Sequence, residues 1–127
     1  MGNLIVDADI LIDILRGHPD ATAFVAAHAA SIVLSVITVT EIYAGIRNRK
    51  EAQHVEMLCA MFKKIPMDEA IAIQAGRYRN SSGKSHGSGL GDCVLAATAT
   101  CEGLTLVTLN KKHYPMLTDV LIPYKKH

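Results

Sequence analysis

The chain has 127 residues, half of them hydrophobic and none of them Trp, with a formal net charge of +1 at pH 7. These totals fit one domain that can bury its own core and favour close packing over a disordered tail, and the net charge does not advertise nucleic-acid binding, so any basic surface has to be local. Cys59, Cys93 and Cys101 are odd in number and form no Cys-x-x-Cys pair, which argues against a disulfide framework or a zinc site and suits a reducing cytosol.

Leu4-Ile5-Val6 reads as a first strand that runs straight into Asp7 and Asp9. The segment is too short for a signal-peptide core, and no apolar run reaches the length of a membrane span. A cytoplasmic protein with no membrane partner is therefore expected. Asp9 to Leu15 reads as a well-buried helix, stopped by Arg16-Gly17-His18-Pro19. Asp20 can cap a second helix through about Ala30, and Ser31 to Ser35 is a second strand.

Thr38 is expected to open a helix through about Arg49, continued or followed by another from Lys50 to Phe62. In the later piece Val55, Leu58, Cys59 and Phe62 share one face at helical spacing. Lys64 to Met67 suits a short edge strand, because Pro66 is tolerated there. Asp68 caps the next helix, with Ile71, Ala75 and Tyr78 as its core stripe. Asn80 to Gly91 is Gly- and Ser-rich and reads as a loop. Asp92 to Cys101 is a helix of small residues, Leu104 to Leu109 a buried strand, Asn110 to Tyr114 a turn or short helix, and Val120 to Ile122 a last strand. Alternating strands and helices predict a mostly parallel central sheet with helices on both faces, a three-layer α/β/α sandwich. No linker divides the chain, so residues 1–127 are expected to form a single domain.

The chemistry-bearing residues follow from this order. Asp7 ends the first strand and Asn110 ends the Leu104–Leu109 strand in the same sense. Glu41 follows the second strand, and Asp92 opens a helix after the glycine loop. All four can reach the C-terminal edge of the sheet, where ligands of open α/β folds sit. Carboxylates that share a site raise one another's pKa, and a hard divalent cation removes the conflict. Oxygen-only ligands point to Mg²⁺ or Mn²⁺, and to a phosphate ester as substrate. Each acid also has a plainer role. Thr38-x-x-Glu41 is a capping box, Asp92 suits a helix start, and Asp13 is placed for an ion pair with Arg16 or as a hydrogen-bond acceptor that orients the helix. Asp7 is the acid hardest to explain by structure alone.

Four stretches together resemble the PIN-domain ribonucleases: Leu4 to Asp13, Ile37 to Gly45, Gly91 to Ala99, and Leu106 to Tyr114. They occur in family order, and the subgroup they resemble is the VapC-type toxins of prokaryotic toxin–antitoxin pairs. The resemblance implies a metal-dependent endoribonuclease that inhibits translation, with RNA as substrate, a homodimeric state, and a small antitoxin that blocks the acidic pocket. Carried over by position, Asp7, Glu41 and Asp92 match the acidic triad and Asn110 the fourth site position.

The chain departs from the family pattern at Asp9, where Ser, Thr or Asn is usual. This extra acid is expected to offset the one missing at Asn110. Asp7, Asp92 and Asp9 are thus the expected metal ligands. Glu41 is expected to orient the attacking water or to bind a second metal. Lys84, Lys111 and Lys112 are the candidates for phosphate contacts. Two other readings stand beside this one. Asp7-Ala8-Asp9 also fits the opening of a haloacid-dehalogenase-like phosphatase, with Asp7 as nucleophile. The chain could also be a non-catalytic PIN-like module that binds RNA or protein without cutting.

Overall fold

The computed structural model describes residues 2–83 and 88–126. Five strands form one sheet: β1 (Leu4–Val6), β2 (Ile32–Ser35), β3 (Lys63–Ile65), β4 (Thr105–Val107) and β5 (Val120–Leu121). Their order is β3-β2-β1-β4-β5, and every neighbouring pair is parallel. The expected mostly parallel sheet is therefore wholly parallel among the described residues.

The period-2 alternation of the strands splits the core in two. Ile5, Val33, Ile65 and Leu106 point to one face and pack on α5 (Glu69–Tyr78) and α6 (Leu90–Glu102). Val6, Ile32, Leu34 and Val107 point to the other face. There they meet α1 (Ala8–Leu15), α2 (Pro19–His28), α3 (Val36–Ala44) and α4 (Arg49–Ala60). Both faces are covered, which is why Ile5, Val6, Leu34, Leu106 and Val107 are all fully buried. The three-layer α/β/α sandwich is the result.

Local signals set several boundaries. The Asp7 side chain accepts from the backbone N–H of Ala8, so the residue that ends β1 also starts α1. Gly17 takes the left-handed conformation (φ 79°) just beyond α1, where a side chain would be strained. Asp68 caps α5 through the N–H of Ile71, as expected. Val55, Leu58, Cys59 and Phe62 are all buried on the face read from the sequence.

Four expectations need correction. The second helix is capped by His18, whose ring nitrogen accepts from the N–H of Asp20, with Pro19 at the first helical position. That position suits proline, whose missing N–H has no helical partner to lose. The third helix starts at Val36, not Thr38, because the Ser35 hydroxyl accepts from the N–H of Ile37. Thr38 is fully buried inside that helix and its hydroxyl has no partner among the described residues, so there is no Thr38–Glu41 capping box. The last long helix begins at Leu90, which moves Gly91 out of the loop and into the helix.

Candidate active site

β1 is the topological switch point of the sheet. The chain leaves it toward β2 on one side, and β4 lies on the other. Loops leaving two such strands diverge and open a crevice at their C-terminal ends. Asp7 stands in that crevice, with its backbone N–H bonded to the carbonyl of Val107.

The Asp7 carboxylate is buried and held from three directions. Its Oδ1 accepts from the N–H of Ala8 at 2.7 Å. Its Oδ2 accepts from the Thr108 hydroxyl at 2.8 Å and from the Tyr114 hydroxyl at 2.7 Å. Burial pushes its pKa up, the hydrogen bonds from Tyr114, Thr108 and Ala8 work against that, and the Asp92 charge adds to the rise. Asp92 is the third residue of α6, and its Oδ2 accepts from the N–H of Gly89 at 3.1 Å. Its Oδ1 lies 3.1 Å from the Tyr114 hydroxyl, so one phenol spans both acids.

Glu41 comes from the second turn of α3 and reaches the same corner from its open side. A Cβ added at Gly91 would stand 2.9 Å from Oε2 of Glu41, so the glycine makes room for that carboxylate. The Glu41 pKa is pushed up to about 7, first by desolvation and then by the charges of Asp7 and Asp92. Asp7, Glu41 and Asp92 therefore sense one another electrostatically, as three acids sharing a site must.

Asp9 and Asn110 form a neighbouring unit. Oδ2 of Asp9 accepts from the N–H of Leu109 at 2.9 Å, from Nδ2 of Asn110 at 3.1 Å and from the Thr108 hydroxyl at 3.2 Å. Oδ1 of Asp9 is buried and has no partner among the described residues. Burial, followed by the Asp7 charge, pushes the Asp9 pKa up to about 6. Asn110 is exposed and lies three residues past the end of β4, in the turn before a 3-10 segment at Lys111–His113. Its side-chain amide serves Asp9. Lys111 and Lys112 are exposed on that 3-10 turn, and Lys84 lies outside the described residues.

The donor set suits a hard cation in its chemistry. The side chains are oxygen donors, burial and mutual charge disfavour their ionised forms, and one buried carboxylate oxygen is orphaned. No lysine or arginine among the described residues forms an ion pair with Asp7, Asp9, Glu41 or Asp92. Yet among these residues no three His, Cys, Asp or Glu side chains are drawn together as a finished ligand set. The Tyr114 hydroxyl is placed against both Asp7 and Asp92.

Two of these contacts escaped the sequence reading. Thr108 is fully buried, and its hydroxyl stands within hydrogen-bond distance of both Asp7 and Asp9. Tyr114 lies 107 positions from its partner Asp7. Both lie inside the fourth motif, where Thr108 is a polar residue in an apolar stretch and Tyr114 an aromatic residue after three basic ones. Asp13 is a hydrogen-bond acceptor, the second of its two readings, and only the pairing with Arg16 needs correction. It bonds Lys126 and Tyr124, not Arg16.

Beside the acidic corner, Glu41 also stands in the wall of an apolar cleft of about 300 Å³ between α1, α3 and α4, lined by Ile12, Leu15, Ile42, Ile46 and Val55. A second hollow continues along α4 to Met57 and Met61, both largely exposed.

Residues 4–116 match the PIN domain. The chain belongs to the PIN-domain family, and all four acidic-corner motifs fall inside the matched span. Within that family it is of the VapC type. Ribonuclease VapC10 of Mycobacterium tuberculosis is 37% identical, over 95% of this chain and 92% of its own length. Ribonuclease VapC19 of the same organism is 32% identical over 94% of this chain and 98% of its own length. A solved toxin–antitoxin complex from Klebsiella pneumoniae superposes with a TM-score of 0.79 at 27% identity, covering 97% of this chain and 99% of that one. Membership accounts for all four motifs at once, which a haloacid-dehalogenase reading of Asp7-Ala8-Asp9 does not.

Proposed function

We propose that this protein is an endoribonuclease that depends on a divalent cation, Mg²⁺ or Mn²⁺, and is the toxin of a toxin–antitoxin pair. The observation that carries the reading is that three separate elements deliver Asp7, Glu41 and Asp92 to one corner at the switch point of the sheet, with Glu41 raised by desolvation and then by the charges of the other two. The relatives named as ribonucleases and the toxin–antitoxin complex of like fold support the substrate and the pairing.

Asp7 and Asp92 would hold the ion, with the unpartnered Oδ1 of Asp9 as a further oxygen. A bound divalent ion supplies Lewis-acid polarisation of a phosphoryl oxygen and neutralises the clustered charge. Glu41 is the acid left to act on the attacking water. It is solvent-accessible and makes no cap, so its carboxylate is free to accept a proton. Lys111 and Lys112 stand exposed on the turn between Asn110 and Tyr114 and would hold the RNA backbone. The apolar cleft with Glu41 in its wall suits an amphipathic antitoxin segment that covers the acidic corner as it docks. Homodimerisation is part of the same reading.

The test is cleavage of total RNA by the purified chain with Mg²⁺ or Mn²⁺, followed by mapping of the new ends. Chelation of the metal and Asp7→Asn should each remove those ends. If the wild type generates none under any divalent ion, the assignment fails, and a non-catalytic RNA-binding module takes its place.

A further inference from the structure

We infer that Tyr114 is a positioning residue for the acidic corner: its hydroxyl holds the Asp7 and Asp92 carboxylates in the relative placement that a divalent ion requires. The inference rests on the metal-dependent reading above.

The geometry isolates the hydroxyl as the functional part of this side chain. Tyr114 is 1% exposed, and its ring belongs to the core on the α5–α6 face. Phenylalanine would fill that core equally well. A phenol hydroxyl buried there costs free energy unless it is hydrogen-bonded, and its one hydrogen is shared between the carboxylates of Asp7, at 2.7 Å, and Asp92, at 3.1 Å. These acids arrive from different layers, one at the end of β1 and the other in the first turn of α6. Their charges repel, and among the described residues no other side chain hydrogen-bonds to both. Thr108 bridges Asp7 to Asp9 instead.

The bridge also leaves room for an ion. A carboxylate has about four acceptor sites. Asp7 uses one site for Ala8 and two on Oδ2 for Thr108 and Tyr114, which leaves one on Oδ1. Asp92 uses one on each oxygen, for Tyr114 and Gly89, and the His113 ring stands 3.8 Å from Oδ2, which leaves a site on Oδ1. Tyr114 can therefore keep its contacts while the free sites take a cation. Its own placement is secured nearby. The 3-10 turn that delivers it is tied down by the Ser88 hydroxyl, which donates to the carbonyl of His113.

The test is Tyr114→Phe in the full chain, with Mn²⁺ as the probe. Calorimetric titration should show Mn²⁺ binding weakened by about 10- to 100-fold, the usual effect of losing an outer partner of a metal ligand. The melting temperature without metal should stay within a few degrees of wild type. Cleavage should recover most of its rate when Mn²⁺ is raised to saturation. A purely packing role for Tyr114 predicts the opposite pattern, a lower melting temperature with unchanged Mn²⁺ affinity. Equal or tighter Mn²⁺ binding by the variant overturns the inference. Should the variant not fold, the Tyr114 ring-carbon resonance beside the hydroxyl in wild-type protein decides. It must shift as Mg²⁺ is added, and a resonance that does not respond overturns the inference. A wild type that binds no Mn²⁺ and cuts no RNA removes the proposed function together with this inference. A wild type that does both, beside a variant that binds equally well, removes the inference alone.

Discussion

Two sets of acids lie on or next to α1, and the protein treats them in opposite ways. At the start of the helix, Asp7 and Asp9 share a corner with Asp92 and Glu41, and no lysine or arginine among the described residues pairs with any of them. Asp7, Asp9 and Glu41 are all pushed upward. Near the end of the same helix Asp13 is as buried as any of these, at 3% exposure. Its Oδ1 accepts from Nζ of Lys126 at 2.8 Å and its Oδ2 from the Tyr124 hydroxyl at 2.8 Å. Burial works to raise its pKa, but the bonds from Lys126 and Tyr124 prevail and hold it below its usual value. Asp13 is neutralised by the chain's own tail, which is a structural use of a carboxylate. At the acidic corner the His113 ring stands 3.8 Å from Asp92, and no lysine or arginine among the described residues pairs with the four acids, which fits the proposed divalent cation.

The largest expected effect comes from breaking the unpaired region. Asp7→Asn removes a proposed ligand and should reduce cleavage by about 10³-fold, the rate equivalent of several kcal/mol of transition-state stabilisation. Because it also removes a charge from a crowded cluster, the metal-free protein should melt no lower than wild type. A variant that keeps its rate would show that Asp7 is structural. Asp9→Asn should weaken Mn²⁺ binding and rate by about 10-fold, as for a supporting ligand. Unchanged affinity and rate would reduce Asp9 to a partner of Asn110 and Leu109.

The paired region should answer in stability rather than rate. Lys126→Ala leaves Asp13 buried with Tyr124 alone and should cost about 1–2 kcal/mol, the lower part of the range because the Lys126 end of the pair is half exposed. Denaturant unfolding measures the loss, and cleavage at saturating metal should not change. Adding Asp13→Asn to Lys126→Ala should recover part of the loss, since no uncompensated charge remains. If the double variant is as unstable as the sum of the two singles, the Asp13–Lys126 pairing is not what matters there.

The two regions should also separate by pH. Acids with raised pKa values bind more protons in the folded chain than in the unfolded one. Their contribution to stability is present below the ordinary carboxylate range and is lost as pH rises toward about 6 for Asp9 and about 7 for Glu41. Asp13, held low, contributes stability above the ordinary range and loses it as pH falls through its lowered value. Metal-free protein should therefore melt at lower temperature at pH 8 than at pH 5.5 as far as the corner is concerned. Divalent metal should raise the melting temperature more at pH 8, where no protons compete for the carboxylates. An equal metal effect at both values would count against the corner as the binding site. The smallest expected effect is that of Gly91→Ala. The new methyl presses on the Glu41 carboxylate, which is the movable end of a side chain. Stability should hold or rise by about 0.5 kcal/mol from helix propensity, while cleavage falls severalfold. Loss of stability without loss of rate would mean that Glu41 does not need its place beside Gly91.

Much of this was legible along the chain because it depends on neighbours in sequence. Leu4-Ile5-Val6 had to be a doubly buried strand, Asp68 a cap and Val55, Leu58, Cys59 and Phe62 one face of a helix, since pattern and turn chemistry act over a few residues. The parallel order of strands and helices followed, and with it the edge to which Asp7, Glu41 and Asp92 are delivered. The start of α3 was misread because Thr38-x-x-Glu41 and Ser35 are both sound caps locally. Ser35 prevails because it stands directly at the end of β2, and burial of Thr38 inside α3 leaves no room for the other start. What only tertiary structure decided are the partners of the acids. Tyr114 lies 107 positions from Asp7 and Tyr124 lies 111 from Asp13. No periodicity carries information across such separations. Composition and local pattern determined that acids reach the end of β1. The packing of the chain's last residues back onto α1 and the sheet decided that Asp13 is neutralised by Lys126 and Tyr124, and that the Tyr114 hydroxyl stands between Asp7 and Asp92.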